Sequence, residues 1–183
     1  MSLPSRNSPS FPFLAACVLS LAGCASAPVW PDSPGWGTRA FGAQAADSEK
    51  DVDSTALCER VVIAHNRIRA DAKLPALAVS RKLQAAAQAH ARDMANRGKM
   101  THKGSDGSSA VDRIVAQGYK YRRAGENVAV GYFTTERLMK GWMDSPHHKE
   151  NILGSFSQIG VACATASDGK RYWCVTFGLP ARS

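Results

Sequence analysis

The sequence has no Cys-x-x-Cys pair, no glycine-rich phosphate loop and no apolar run long enough to cross a bilayer. The first absence removes thioredoxin-like redox chemistry and the commonest structural zinc spacing. The second removes the P-loop and dinucleotide-binding folds. With 15 glycines and 9 prolines in 183 residues the chain is neither collagen-like nor low-complexity, and 44% hydrophobic with 21% charged residues is too apolar for disorder. The length fits one ordinary domain rather than a two-domain enzyme. Acidic residues are the scarcer charge, 15 against 23 Lys and Arg, and the net +8 favours an anionic partner such as nucleic acid, an acidic polymer or lipid headgroups. Cysteines number five, so at least one thiol does something other than pair in a disulfide.

Residues 1–24 carry one positive charge, Arg6, ahead of an apolar stretch at 11–22 that is too short to span a membrane and reads as a secretory signal. It ends in Leu21-Ala22-Gly23-Cys24, which resembles the lipobox of bacterial lipoproteins, where the cysteine thiol is acylated and becomes the mature first residue. The alternative is an ordinary signal peptide that happens to contain cysteine. The lipobox reading makes residues 1–23 a lipoprotein signal peptide, Cys24 the lipidation site and 24–53 a tether, and it removes Cys17. Two or more acyl chains give stable anchoring, so the membrane itself is the first expected partner. Ala25 resembles outer-membrane-sorted lipoproteins more than the Asp-marked retained ones, which places the protein at the outer membrane or cell surface or in the periplasm. The tether contains Pro28, Pro31 and Pro34 and shows no period; as a coil it reaches on the order of 30 Å. Trp30 and Trp36 are either incidental aromatics within it or contacts to the membrane interface or the domain.

The remaining cysteines are Cys58, Cys163 and Cys174. Residues 159–177 read as a hairpin with Asp168-Gly169 as a two-residue turn. That register sets Cys163 directly opposite Cys174, within disulfide range, and an exported, oxidising setting favours the bond. A buried pair of thiols is the alternative. Cys58 then stays as a small buried hydrophobe on a helix.

Helical periodicity begins near residue 53 with Leu57, Val61, Ala64 and Ile68 on one face and stops before Pro75. A second helix runs from the cap Ser80 to Gly98, with Leu83, Ala86, Ala87, His90 and Met94 inward. A short third helix spans about 109–117, a strand follows at 125–131, and a fourth helix covers about 135–143 with Leu138, Met139 and Trp142 inward. Helices precede a hairpin with apolar residues on both faces. The expected fold is therefore α+β, a three-layer α-β-α sandwich around a mainly antiparallel sheet, occupying residues 54–183.

Unusual polar residues concentrate in Met100-Thr101-His102, in Gly125-Glu126-Asn127 and in the run from Trp142 through Asp144-Ser145-Pro146-His147-His148 to Asn151. Together with His65-Asn66-Arg67-Ile68-Arg69 these resemble the CAP superfamily, the cysteine-rich secretory proteins, antigen 5 and plant pathogenesis-related 1 proteins (SCP-like domains), over about residues 57–178. The short bacterial branch is the nearest in pattern, with a His after the second helix, "GEN" and "W-x-x-S-P-x-H-x-x-N-I-L". The resemblance implies the α-β-α sandwich and a cleft of two histidines and two acids. His102, Glu126 and His148 match three of these positions; the fourth is unmatched, so either Asp144 substitutes or the site has three members. In the family the two histidines bind metal, which makes His102 and His148 the candidate ligands for Zn²⁺ or another divalent cation.

On chemistry alone, two imidazoles and a carboxylate could hold zinc with an open position for water, with Glu126 as ligand or base, and affinity should fall as the histidines protonate below about pH 6.5. Loop-bonded histidines are the bland alternative. Ser145 beside Asp144 and three residues before His148 suggests a triad, but sequence neighbours rarely meet that geometry. A simpler role ends the fourth helix at Ser145-Pro146, with Asn151 tying the next turn. His65 and His90 read as packing histidines. Three functions follow. The first, and preferred, is a lipid-anchored binding module, not an enzyme, that takes a small or lipid-like ligand or a divalent metal and acts as a monomer. The second is a metal-assisted hydrolase or protease acting on peptide or envelope material, with Glu126, His148 and Ser145 as catalytic candidates. The third is docking to an anionic cell-wall polymer through Arg81, Lys82, Arg92, Arg97, Arg122 and Arg123. A nucleic-acid partner does not fit an exported lipoprotein. The anchor is the readiest of these readings to test: a Cys24→Ser chain should move from the membrane to the soluble fraction, and its persistence with membranes would reject lipidation of Cys24.

Overall fold

The structure, a computed structural model, describes residues 45–132 and 134–182, with side chains from Ser54 onward. The signal segment, Cys24 and most of the tether lie outside the described residues. Among the described residues the element order is α1 (Ala45–Asp71), β1 (Ala78–Val79), α2 (Arg81–Arg97), α3 (Ala110–Ala116), β2 (Tyr121–Val130), α4 (Thr135–Asp144), α5 (Pro146–Leu153), β3 (Gln158–Thr165) and β4 (Arg171–Pro180). None of the helices is long and apolar enough to cross a membrane. α1 starts at Ala45, so residues 45–53, expected as tether, are helical.

Local chemistry accounts for the ends. Gly98 adopts the left-handed conformation at φ 61° and returns its N–H to Ala95 and Met94 at the end of α2. Ser109 and Asp112 form a reciprocal capping box at the start of α3, and the Thr134 hydroxyl accepts from the Arg137 N–H at α4. Pro146 does more than stop α4. It occupies the first turn of α5, where its missing N–H costs nothing, so the expected turn is a helix.

The sheet runs β1-β3-β4-β2, with β1 parallel to β3 and the other pairs antiparallel. The hairpin register differs from expectation by one residue. Ala162 faces Cys174 and Cys163 faces Trp173, because the loop has three residues, Ser167-Asp168-Gly169. The Gly169 N–H bonds to the Ala166 carbonyl, the Ala166 N–H bonds to the Lys170 carbonyl, and Gly169 takes φ 80°. This is a turn closed by a left-handed residue, the common three-residue hairpin. A slip of one residue turns a strand over. Cys163 and Cys174 therefore point to opposite faces of the sheet, and neither disulfide geometry nor a shared environment is available to them. Both are thiols.

The two faces are unlike. One carries the large residues Val161, Trp173, Val175 and Phe177 and is covered by α1, α4 and α5 through Val61, Leu138, Met139, Trp142 and Ile152. The other carries Ala162, Cys174, Tyr172 and Val128 and is covered by α2 through Ala87, Ala91 and Met94, with α3 behind it. The result is the expected three-layer α-β-α sandwich, and His65 and His90 are fully buried within it. The His65 Nδ1–H donates to the Val61 carbonyl at 2.8 Å, and the ring lies against Trp142 and Phe177. Burial lowers its pKa to about 4, so the ring is neutral.

Two contacts fasten the helices in place. Arg69 on α1 is 1% exposed and donates to the carbonyls of Pro75, Ile152, Gly154 and Phe156 at 2.8–3.1 Å, closing the end of α5 that no neighbouring helix satisfies. On the opposite layer, Gln84 of α2 makes a two-way amide bond with Val161 of β3, donating to its carbonyl and accepting from its N–H at 2.9 Å. Gly160 permits this approach: a Cβ there would lie 2.2 Å from the Leu83 carbonyl carbon and 2.3 Å from the Gln84 nitrogen, both backbone atoms that cannot swing away. Gly160→Ala should consequently separate α2 from the sheet and destabilise the fold by about 3 kcal/mol or more, read as a lower urea midpoint. An unchanged midpoint would refute the close approach.

Candidate functional site

Glu126 stands at the centre of the polar constellation. It is a β2 residue whose alternation turns it toward the α2–α3 layer, and its side chain is only 2% exposed. An ionised carboxylate at that depth requires partners on every side. Oε1 accepts from His102 Nδ1 at 2.9 Å, and Oε2 accepts from Arg113 Nη2 at 2.7 Å and from the Cys174 thiol at 3.4 Å. His90 Nε2 is 4.0 Å from Oε1 but bonds instead to the Thr101 carbonyl at 2.7 Å. A carbonyl only accepts, so His90 carries its proton on Nε2, and burial keeps the ring neutral. Arg113 also donates to the carbonyls of His102 and Ser108, which fixes the loop that carries His102.

Burial pushes the Glu126 pKa up, but the hydrogen bond from His102 and the Arg113 guanidinium outweigh it, and the carboxyl ends below the usual range. The hydrogen bond to Glu126 raises His102 in turn, against the opposing effect of its own burial. The result is a coupled histidine–carboxylate pair in which each partner favours the charged form of the other and the histidine side chain is 60% exposed.

His148 reaches the same region from the other layer. Asn127, next to Glu126 on β2, points to the opposite face and donates to the His148 carbonyl at 3.0 Å. Asn151 donates to the Glu126 carbonyl at 3.1 Å and to Asn127 Oδ1 at 2.8 Å, so Asn151 ties α5 to β2 rather than its own turn. Consecutive residues of one edge strand thus hold a histidine from each layer, Glu126 through a side chain and Asn127 through a backbone carbonyl. The two imidazoles interact electrostatically. Burial lowers the pKa of His148, and the charges of His102 and His147 lower it further. His148 is neutral where His102 is charged.

The profile of the CAP family, described as the Cysteine-rich secretory protein family, matches residues 62–177. The chain belongs to this family. The CAP domain is 35% identical over 104 residues to the uncharacterized protein YkwD of Bacillus subtilis, covering 56% of this chain and 40% of that protein. The uncharacterized membrane protein YlbC of the same organism is 29% identical over 73 residues, covering 39% of this chain and 21% of that one. The chain thus spans less than half the length of either relative. Among solved structures, an extracellular SCP-domain protein from Bacillus anthracis superposes with TM-score 0.65 at 24% identity, over 75% of this chain and 45% of that one. An outer surface protein from Borrelia burgdorferi does so with TM-score 0.62 at 22% identity, over 67% of this chain and 92% of that one. At those identities the likeness establishes the fold.

Within this CAP domain the other expected residues are elsewhere. Asp144 lies at the exposed end of α4, engaged by Lys140 at 2.6 Å. Ser145 joins α4 to α5, and among the described residues its hydroxyl forms no hydrogen bond to an imidazole. No group of three His, Cys, Asp or Glu among the described residues is placed to hold a metal. Of the two histidines expected as ligands, His102 is held by Glu126 at 2.9 Å and His148 is close enough for the charge of His102 to lower its pKa. Of the basic residues expected to form a docking surface, Lys82 caps the Gly118 carbonyl, Arg97 pairs with Asp93 and Arg123 lies over Phe156.

Sequence reasoning missed Arg113 and Cys174 as partners of Glu126. Arg113 follows a capping Asp in a seven-residue helix, too short for periodicity to show which way it points, and Cys174 was turned the wrong way by the register.

The paired shifts set a pH window. The Glu126 contribution is present above its unfolded pKa and lost as pH falls through the depressed folded value. The His102 contribution is present below its unfolded pKa and lost as pH rises through the raised folded value. Both are complete only between about pH 4.5 and 6.5. In Glu126→Gln the His102 imidazole, followed by NMR, should titrate at a lower pH than in the parent, with a stability loss of about 3 kcal/mol from the stranded Arg113. An unmoved His102 titration would contradict the pair.

Proposed function

We propose that the protein is an exported, lipid-anchored CAP-domain binding module whose His102 and His148 imidazoles take a divalent cation such as Zn²⁺, or the polar end of a small or lipid-like ligand, at the edge of β2. The observation that carries this reading is the way Glu126 is used. Both carboxylate oxygens are spent inside the protein on Arg113, Cys174 and His102, so Glu126 orients a histidine instead of meeting a substrate. A bound cation would supply Lewis acidity, with two protein ligands and its remaining positions open to water or ligand. Neutral His148 is ready to ligate, whereas His102 has to give up the proton that Glu126 stabilises, so affinity rises with pH.

The hydrolase reading finds less support. A covalent mechanism needs a nucleophile beside a base. Ser145 is at a helix junction, and the fully buried Cys174 thiol has its pKa pushed well up by burial and by the adjacent Glu126 charge. Polymer docking is weakened by the internal engagement of Lys82, Arg97 and Arg123. Export and anchoring rest on the sequence of residues 1–24 and accord with an extracellular relative of the same fold.

Zinc titration of the purified full-length chain by calorimetry tests the site. Binding should be lost in a His102→Ala, His148→Ala double variant and weaken at least tenfold from pH 7.5 to pH 6, while a panel of peptides and esters shows no turnover. Zinc binding that survives in the double variant would remove this site; turnover abolished by the same substitutions would turn the reading toward the hydrolase.

A further inference from the structure

The one-residue change of register that separates Cys163 from Cys174 gives Cys163 a different neighbour. Cys163 is on the large-residue face, beneath α1, and the side chain of Cys58 on α1 packs against the same cluster. The two thiols are hydrogen-bonded to each other. Cys174 is on the opposite face, occupied by Glu126. The three thiols thus divide into a touching pair and a single buried donor.

We propose that Cys58 and Cys163 are a disulfide site that fastens α1 to β3 when the chain meets a disulfide-bearing oxidant. Thiols that already contact each other inside one packed cluster have only to close to the bonded distance of about 2.05 Å. The access is asymmetric. Cys163 is 4% exposed, whereas Cys58 is half-buried and lines a cavity of about 330 Å³ together with Ser54, Thr55, Glu59, Val62 and Gln84. Cys58 is accordingly where the oxidant arrives. Its thiolate attacks a sulfur of the oxidant's disulfide, forming a mixed disulfide and releasing one thiol. The Cys163 thiolate then attacks the Cys58 sulfur and expels the second. Two protein thiols lose two electrons and two protons, and the oxidant becomes two thiols.

The hydrogen bond and burial both raise the Cys58 pKa, so the folded, reduced protein reacts slowly, and the bond forms most readily while the chain is folding. The bond would close a loop of about 100 residues, the long-loop regime in which the chain-entropy account assigns the greatest stabilisation. It would also hold down the first described helix, onto which the N-terminal segment leads. Where the cell supplies the oxidant rests on the export reading; the pairing itself does not.

The test uses the full-length chain carrying Cys17→Ser and Cys24→Ser, refolded with a mixture of reduced and oxidised glutathione, then alkylated and digested with trypsin without reduction. Cleavage after Lys170 and Arg171 puts the three cysteines in separate peptides, 51–60, 150–170 and 172–182. The expected product is peptide 51–60 linked to 150–170, with Cys174 alkylated. The melting temperature should fall by on the order of 10 °C on reduction in this chain and in a further Cys174→Ser variant, and should not respond in Cys58→Ser or Cys163→Ser. A link between 150–170 and 172–182, glutathione adducts on both Cys58 and Cys163, or a linked form that melts no higher than the reduced one would overturn the proposal. Because the oxidant is added, failure here counts against the pairing and leaves the export reading untouched.

Discussion

A single buried negative charge organises this domain. Glu126 cannot stay ionised at its depth unless donors surround it, and those donors come from different parts of the chain: His102 from the loop after α2, Arg113 from α3 and Cys174 from β4. Each is fixed in turn. Arg113 grips the carbonyls around His102, and Asp93 accepts from Ser105 in the same loop while pairing with Arg97. The loop that presents His102 is therefore held by electrostatics rather than by apolar packing. This is why a largely exposed imidazole keeps a defined orientation.

The sandwich that carries this charge is asymmetric by composition. Large side chains on one sheet face give α1, α4 and α5 bulk to pack on. Glycine and alanine on the other let α2 come close enough for its backbone to meet that of β3 and for Thr176 to donate to the Leu83 carbonyl. The close layer is rigid and polar at its margin; the bulky layer is oily and carries the buried Arg69 as its latch. β2 is an edge strand, so the side-chain alternation of Glu126 and Asn127 reaches both layers within two residues. That brings His102, on the loop after α2, within electrostatic reach of His148 on α5.

The proposed use of this arrangement is recognition more than reaction. One histidine is charged and oriented, the other is neutral, and the carboxylate beside them is committed to the fold. Such a pair can bind an ion or a polar ligand in a pH-dependent way without any nucleophile.

Much of this was legible in the residues. The inward faces of α1 and α2, the stop at Gly98, the hairpin and the layered α+β order follow from periodicity and turn chemistry, which are local; Ser80, expected as a cap, starts α2 without a side-chain cap bond. The family motifs located His102, Glu126 and His148. The misreadings share a cause. Asp168-Gly169 marks a turn, but whether the loop holds two residues or three depends on which register buries the correct faces, and that is settled by α1 and α2 packing on the finished sheet. Asp144 was one alternative for an unmatched fourth position, and the fold leaves it exposed at the end of α4, paired with Lys140. Arg113 carried no signal in the sequence, because nothing along the chain reports that a carboxylate lies thirteen residues away and buried. Sequence by itself determined which segments are helix or strand and which residue types are unusual, since these depend on neighbours along the chain. Tertiary structure alone decided which side each strand shows, which cysteine meets which and which charges neutralise Glu126, because these depend on contacts between residues far apart in sequence.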